Sequence, residues 1–260
     1  MCDNVADCGY IAHTAPTIDG GGGPAWSGFI CVMPWQTYLQ YNDPRILEKA
    51  YPAQVKLLRF WNRSISFGGG GSGGAVPADG LVHNWGGDDP WSFLGDWLTP
   101  HGSEPSVTVE ASLFNNCYIL YCFRIVAKVA SVLGREEDAA KYAKAATALA
   151  AAIHAKFFVA ASAASNGMPY YLNTLQTHLT MALVAEVPPT AAIRAGVMKT
   201  LRHEIVVNQQ GPVCLKSRKN NPSCRESARG HCLRGARGTH PTSDLSMLRP
   251  AALLGGFSFC

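Results

Sequence analysis

The sequence predicts an all-α protein whose helices are layered two deep and curve into a toroid. Long stretches that are apolar on every side alternate with stretches that are apolar on one side only. Gly, Pro and Asp residues punctuate them at helix-like lengths, and strand-type alternation has little support. A helix apolar all round has to be enclosed, and one with a single apolar face can enclose it, so the alternation sorts the helices into an inner and an outer layer. No repeat of fixed length is evident, which argues against an ordinary solenoid.

The first inner helix is predicted over Ser27 to Asn42, nearly all apolar, with Trp35, Tyr38 and Tyr41 at three-residue spacing and Pro34 near its middle. Asp43-Pro44 then supplies an N-cap and a proline at the first helical position. The outer helix that follows runs through Leu47, Val55, Leu58 and Trp61, with a bend or restart expected at Pro52. A second inner helix is predicted over Ser106 to Leu133, with Glu110, Arg124 and Lys128 along one stripe and a Glu110–Arg124 ion pair expected there. Gly134 ends it. Glu136, Glu137 and Asp138 suit the positive end of the next helix, which places Tyr142, Leu149, Ile153 and Phe157 on one face. Two further helices are predicted near Thr174 to Glu186 and Thr190 to Gln209, separated by Pro188-Pro189. That makes about six helices, or three hairpins.

Composition limits what this scaffold can be. At 260 residues, 47% hydrophobic and 15% charged, the chain is long enough for a sizeable core. No run of eighteen apolar residues appears, and the first residues lack the basic and apolar regions of a secretory leader, so neither a membrane span nor secretion is indicated. Nine cysteines form no CxxC pair and no metal-type cluster; Cys31, Cys117 and Cys122 fall inside apolar helical runs as small hydrophobes. Reduced surroundings, and with them a cytoplasmic location, are slightly favoured. No metal site and no cofactor are expected.

The net charge of +4 is unevenly placed. Residues 212–260 hold eight Lys or Arg against two acids, whereas residues 1–211 hold fourteen against sixteen. The basic segment lacks helical periodicity and is rich in Arg, Gly, Ser and Cys, so it is expected to be disordered or the product of a shifted reading frame rather than a nucleic-acid or membrane patch. Two domains of different kind are therefore expected, 1–211 helical and 212–260 irregular. Phe67 to Gly74 reads as a flexible low-complexity linker, and Gly20 to Gly23 lacks the GK[ST] ending of a phosphate loop.

Functional interest centres on Asp79 to Glu104, where Asp79, Asp88, Asp89 and Asp96 alternate with Trp85, Trp91 and Trp97 between two helical segments. Tryptophan faces stack on the C–H face of a pyranose and carboxylates accept its hydroxyl protons, so such a segment builds a polar cleft with aromatic walls. Gly95-Asp96-Trp97 is its sharpest part. Each residue also has a structural reading: aspartate beside Gly or Pro closes turns, tryptophan fills cores, and Asp96 could cap the next backbone turn.

Several pieces in order resemble the bacterial-type α-L-rhamnosidases. They are Gly21-Gly22-Gly23-Pro24-Ala25-Trp26, Pro34-Trp35, Tyr51-Pro52, Asp79-Gly80-Leu81, Gly95-Asp96-Trp97-Leu98, Phe114-Asn115-Asn116-Cys117-Tyr118, Leu133-Gly134-Arg135-Glu136-Glu137-Asp138-Ala139-Ala140-Lys141-Tyr142 and Gln176-Thr177, spread over roughly residues 8 to 211. The resemblance implies an (α/α)6 six-hairpin catalytic toroid, of which this chain holds about half the helices, and inverting hydrolysis of terminal α-L-rhamnose from glycosides or polysaccharides. It implies Asp96 as an acceptor for rhamnose hydroxyls, Trp97 as a stacking wall, and Trp26, Asp79, Trp85, Trp91 and His178 as further substrate contacts. The family's general acid lies in an upstream Asp-Glu-Arg-x-Gly-Trp motif and its base in a later hairpin, so neither catalytic carboxylate is expected within this chain. The family often has an aspartate just after Pro-Ala-Trp, where Ser27 and Gly28 stand here. The chain alone is therefore expected to be inactive and, through an unpartnered apolar surface carrying Trp35, Phe114, Leu120 and Phe123, prone to self-association. A non-catalytic carbohydrate-binding or helical scaffold protein is the alternative.

Overall fold

The computed structural model describes residues 6, 8–12, 22–67, 79–85, 89–97, 99 and 103–208. His13, the glycine run after Phe67, Asp88 and the basic segment 212–260 lie outside the described residues.

The helices are α1 (Pro24–Ser27), α2 (Phe29–Tyr41), α3 (Arg45–Phe67), α4 (Val109–Val132), α5 (Glu136–Phe157), α6 (Gln176–Val184) and α7 (Ala191–His203). A π-helical turn, Glu204–Asn208, extends α7. They form three hairpins: α2 packs on α3, α4 on α5 and α6 on α7. The first members touch in succession, α2 against α4 and α4 against α6, which makes them the inner layer. Burial agrees, since α4 buries residues on every side, among them Leu113, Ile119, Leu120, Phe123, Val126 and Val129. By contrast, α5 buries one stripe through Tyr142, Leu149, Ile153 and Phe157 and leaves Lys141 and Lys144 in solvent. The described residues thus supply three hairpins of a layered helical arc.

Local chemistry explains the boundaries. Asn42 takes a left-handed conformation (φ 53) at the end of α2, and Asp43 accepts the Arg45 N–H at 3.0 Å to start α3. The Arg45 guanidinium beside Asp43 also holds this exposed carboxyl down to about 2. Thr108 caps α4 and Thr190 caps α7, each hydroxyl accepting the N–H three residues on. Gly134, at φ 68, ends α4 in a Schellman motif: its N–H reaches Ser131 and the Arg135 N–H reaches Ala130. Arg135 then lies 4.7 Å from the centroid of the Tyr51 ring, whose hydroxyl donates to Asp138 at 2.6 Å, tying the first hairpin to the second.

Pro34 sits inside α2 without disrupting it. Proline has no N–H for the carbonyl four residues back, which is that of Ile30. The buried Gln54 of α3 supplies the missing donor, its Nε2 lying 3.0 Å from the Ile30 oxygen.

Three expectations need correction. α3 continues through Pro52 without restarting, because the carbonyl that Pro52 orphans belongs to the exposed Glu48 and can be solvated. Arg124 pairs with Glu186 at 3.2 Å and not with Glu110, which at fourteen residues along one helix is about 21 Å away. A short antiparallel pair, β1 (Phe158–Val159) with β2 (Tyr170–Tyr171), links α5 to α6 in the register Phe158 with Tyr171 and Val159 with Tyr170. Two-residue strands leave no periodic signal to read.

Cys31, Cys117 and Cys122 are buried, and burial pushes the thiols of Cys117 and Cys122 up. Among the described residues no helix is long and apolar enough to cross a membrane.

Candidate functional site

The segment between α3 and α4 is held from below by two consecutive asparagines at the start of the second inner helix. Asn115 donates to the Phe93 carbonyl at 2.7 Å. Asn116 accepts the Val82 N–H at 2.8 Å and donates to the Val82 carbonyl at 2.9 Å, as a paired strand would. Both are fully buried, so each replaces backbone partners that an irregular segment lacks. Ser106 adds a third tie: its hydroxyl accepts the Phe93 N–H at 2.8 Å, and its own N–H reaches the Pro90 carbonyl at 3.0 Å. The Gly22-Gly23 segment before α1 lies against this loop so closely that a Cβ at Gly23 would stand 2.1 Å from the Leu94 oxygen.

Asp96 is set by two elements, the returning loop at Glu104 and the first turn of α6. Its main chain pairs with the returning loop, Gly95 N–H to the Glu104 carbonyl at 2.9 Å and Glu104 N–H to the Asp96 carbonyl at 3.0 Å. Glu104 Oε2 accepts the Asp96 N–H at 3.0 Å. Thr177, in the first turn of α6, donates to Asp96 Oδ2 at 2.9 Å. The next residue, His178, lies with Nε2 2.9 Å from Glu104 Oε1 and Nδ1 2.8 Å from Asn173 Oδ1. Gly95 has to be glycine, because a Cβ there would stand 2.7 Å from both Glu104 Oε2 and the Ala111 Cα.

Beside Asp96, Trp97 and Trp91 pair at 5.7 Å between ring centroids and 38° between planes. They are 55% and 48% exposed, unusual for tryptophans in mutual contact. Exposed aromatic faces and a half-buried carboxylate on one loop are the groups that suit the apolar and polar sides of a sugar ring. Trp26, on α1, is half-buried and belongs to the segment stapled to the same loop.

Other residues singled out from the sequence serve structure. Asp79 closes a turn by accepting the Leu81 N–H at 3.1 Å and faces His83 Nε2 at 2.8 Å. Burial pushes the carboxyl up, but the bonds from His83 and the Leu81 N–H outweigh this and hold it below the usual carboxylate range. Trp85 packs edge-on between Phe60 and Phe93, at 5.1 and 5.0 Å, half-buried against the core. His178 is 0% exposed and offers no ring face to a ligand; its place is behind Asp96. Asp89 accepts the Trp91 N–H in a turn at 3.1 Å. Residues that sequence reasoning left out of the site, Thr177, Glu104 and the two asparagines, prove to position Asp96 and its loop. The adjacency of Asn115 and Asn116 inside an otherwise apolar helix was a readable sign of buried polar work. Among the described residues no group of three or more His, Cys, Asp or Glu is arranged to hold a metal ion.

The layered hairpins have counterparts in known proteins. Residues 1–212 match the family described as the bacterial alpha-L-rhamnosidase 6 hairpin glycosidase domain. The chain belongs to this family. An alpha-L-rhamnosidase of Formosa agariphila is 25% identical over 182 residues, covering 68% of this chain and 17% of that protein, so the chain spans about a sixth of the relative's length. The alpha-L-rhamnosidase structure from Dictyoglumus thermophilum superposes with a TM-score of 0.62 at 21% identity, over 80% of this chain and 21% of the other. That of Streptomyces avermitilis, solved in complex with L-rhamnose, superposes at 0.58 with 20% identity, over 80% and 17%. The observed arc of three hairpins is accordingly part of a six-hairpin glycosidase domain.

Proposed function

We propose that this rhamnosidase-type glycosidase domain binds terminal α-L-rhamnose of a glycoside or polysaccharide, with Asp96 accepting from sugar hydroxyls and Trp97 and Trp91 forming the stacking wall, Trp26 at its edge. One observation carries the reading: the exposed Trp91–Trp97 pair shares its loop with Asp96, whose main-chain N–H is held by Glu104 and whose carboxylate accepts from Thr177 of α6. A carboxylate so fixed is preorganised to accept a hydroxyl proton without losing side-chain freedom on binding. The complex of the Streptomyces avermitilis relative with L-rhamnose supports the choice of sugar.

The reaction class that goes with the family is inverting hydrolysis, in which two carboxyls about 6.5–9.5 Å apart hold the attacking water between them. Asp96 and Glu104 do not have the character of such a pair. Glu104 is buried beneath the loop, and Asp96 is engaged by Thr177. The chain by itself is therefore read as contributing sugar contacts rather than the acid and base, and it releases no product from an aryl rhamnoside. Turnover comparable to an intact rhamnosidase would overturn this.

The binding reading is tested by measuring L-rhamnose affinity and unfolding on the same variants. Asp96→Asn replaces a charge-assisted bond with a neutral one and lowers affinity by about 1–2 kcal/mol. Trp97→Ala lowers it by about 1–3 kcal/mol, on the scale of planar rings stacked on aromatics. Because Trp97 is more than half exposed, that variant keeps its stability to within about 1 kcal/mol. A large stability loss with unchanged affinity would remove Trp97 from the site, and unaltered affinity in Asp96→Asn would remove Asp96. A chain that binds L-rhamnose yet cleaves nothing even when joined to the rest of a rhamnosidase domain would favour the non-catalytic carbohydrate-binding alternative.

A further inference from the structure

The surroundings of His178 fix where its protons are. Asn173 Oδ1 accepts the Leu175 N–H at 3.0 Å, which identifies that atom as the amide oxygen. The same oxygen lies 2.8 Å from His178 Nδ1. An amide oxygen has no proton to give, so Nδ1 carries the N–H. On the other side of the ring, Nε2 lies 2.9 Å from Glu104 Oε1, with both groups buried. A neutral imidazole with its proton on Nδ1 would point a lone pair at an ionised carboxylate, so one further proton belongs between the two. The approach departs from the axis of an aligned ring N–H hydrogen bond. Charge attraction tolerates that misalignment better than a neutral hydrogen bond does, which places the proton on the imidazole.

The other carboxylate oxygen, Oε2, accepts the Asp96 N–H, and the Glu104 main chain pairs with Gly95 and Asp96. Thr177, adjacent to His178, holds the Asp96 side chain. We propose that Glu104 and His178 form a buried imidazolium–carboxylate pair that acts as the positioning device for Asp96, clamping the loop of the sugar site to the first turn of α6. The inference deepens the rhamnose-binding reading and rests on it for its functional meaning. Glu104 and His178 themselves do not touch the sugar. The pair settles where the Asp96 carboxylate stands before a ligand arrives.

The test uses the whole chain labelled with nitrogen-15, the His178 ring signals being assigned by their loss in His178→Gln. In the wild type both ring nitrogens carry protons. In Glu104→Gln the amide donates to Nε2 while its oxygen keeps the Asp96 N–H, so His178 becomes neutral with its single proton on Nδ1. Amide exchange at Asp96 stays slow in Glu104→Gln and accelerates by roughly tenfold or more in Glu104→Ala, where the acceptor is gone. L-rhamnose affinity follows the same order, close to wild type for Glu104→Gln and roughly tenfold weaker for Glu104→Ala. A neutral His178 in the wild type, or an Asp96 amide indifferent to Glu104→Ala, overturns the positioning pair. If Glu104→Ala does not fold, the wild-type and Glu104→Gln ring signals decide alone. If the wild type binds no L-rhamnose, the sugar reading falls, and the proton count and Asp96 exchange still judge the pair.

Discussion

Gln54 shows how one side chain can license another residue far from it in sequence. Its Nε2 takes the Ile30 carbonyl that Pro34 leaves without an intrahelical donor. Gln54→Leu should orphan that buried oxygen, at about 1–3 kcal/mol, offset in part because the unpaired Gln54 Oε1 is removed too. The deciding quantity is the coupling with Pro34. Pro34→Ala restores an N–H at that point of the helix, so it should stabilise the Gln54→Leu protein by about 1 kcal/mol more than it stabilises the wild type. Equal effects in the two backgrounds, in a denaturant double-mutant cycle, would show that the bond carries no energy. Nothing in the sequence announced Gln54, because its role depends on the phase at which two helices meet. Asp96 and Trp97 could be proposed as sugar contacts from the sequence, since an acidic and aromatic cluster in a Gly- and Pro-bounded segment is a local pattern. Glu104 was hidden for the opposite reason. It closes the same acidic segment, but the side chain it meets, His178 of α6, lies more than seventy residues on.

At the scale of elements, the inner helices end within two residues of where the sequence placed them, but the residue types at those ends differ. Gly134 announced the end of α4, whereas α6 ends in the same Schellman geometry with Glu186 at φ 58. Its N–H reaches Leu183 and the Val187 N–H reaches Ala182, so the motif is complete without glycine. Glu186 instead gains a pair with Arg124 on α4, through its carboxylate at 3.2 Å and its carbonyl at 3.1 Å. The carboxylate pair is largely exposed and so contributes little, about 0–1 kcal/mol. Glu186→Ala and Glu186→Gly both remove it but differ in the left-handed strain they leave. Thermal unfolding should therefore find the glycine variant more stable than the alanine variant by about 1 kcal/mol. The loop before α4 makes a second case. Asn116→Ala would leave the N–H and carbonyl of the buried Val82 without partners, at about 1–3 kcal/mol each, and should loosen the loop ahead of the site. Hydrogen exchange that rises at Val82 while α5 stays protected is the expected signature; uniform exchange would mean that Asn116 supports the whole fold equally.

Over the whole molecule, the alternation of all-apolar and one-sided helices was enough to read three hairpins and their layering, because enclosure is a property of each helix taken alone. Which residues remain unenclosed was not legible, since that depends on the neighbour each inner helix meets. Of the residues expected on an unpartnered face, Leu120 and Phe123 are buried, Phe123 against Tyr142 of α5, and Trp35 and Phe114 are half-buried against the core. Among the described residues α2 carries an exposed apolar stripe, where Phe29 and Met33 lie one turn apart and are 42% and 37% exposed, with Leu39 and Tyr41 exposed toward its end. Apolar side chains contiguous along a helix and open to water favour association of copies. The chain should therefore sediment as a concentration-dependent mixture, and Phe29→Lys with Met33→Glu should shift it toward monomer while leaving helical circular dichroism unchanged. A wild-type chain that stays monomeric across a hundredfold range of concentration would refute the association, and one that associates equally well in the double variant would place the contact elsewhere.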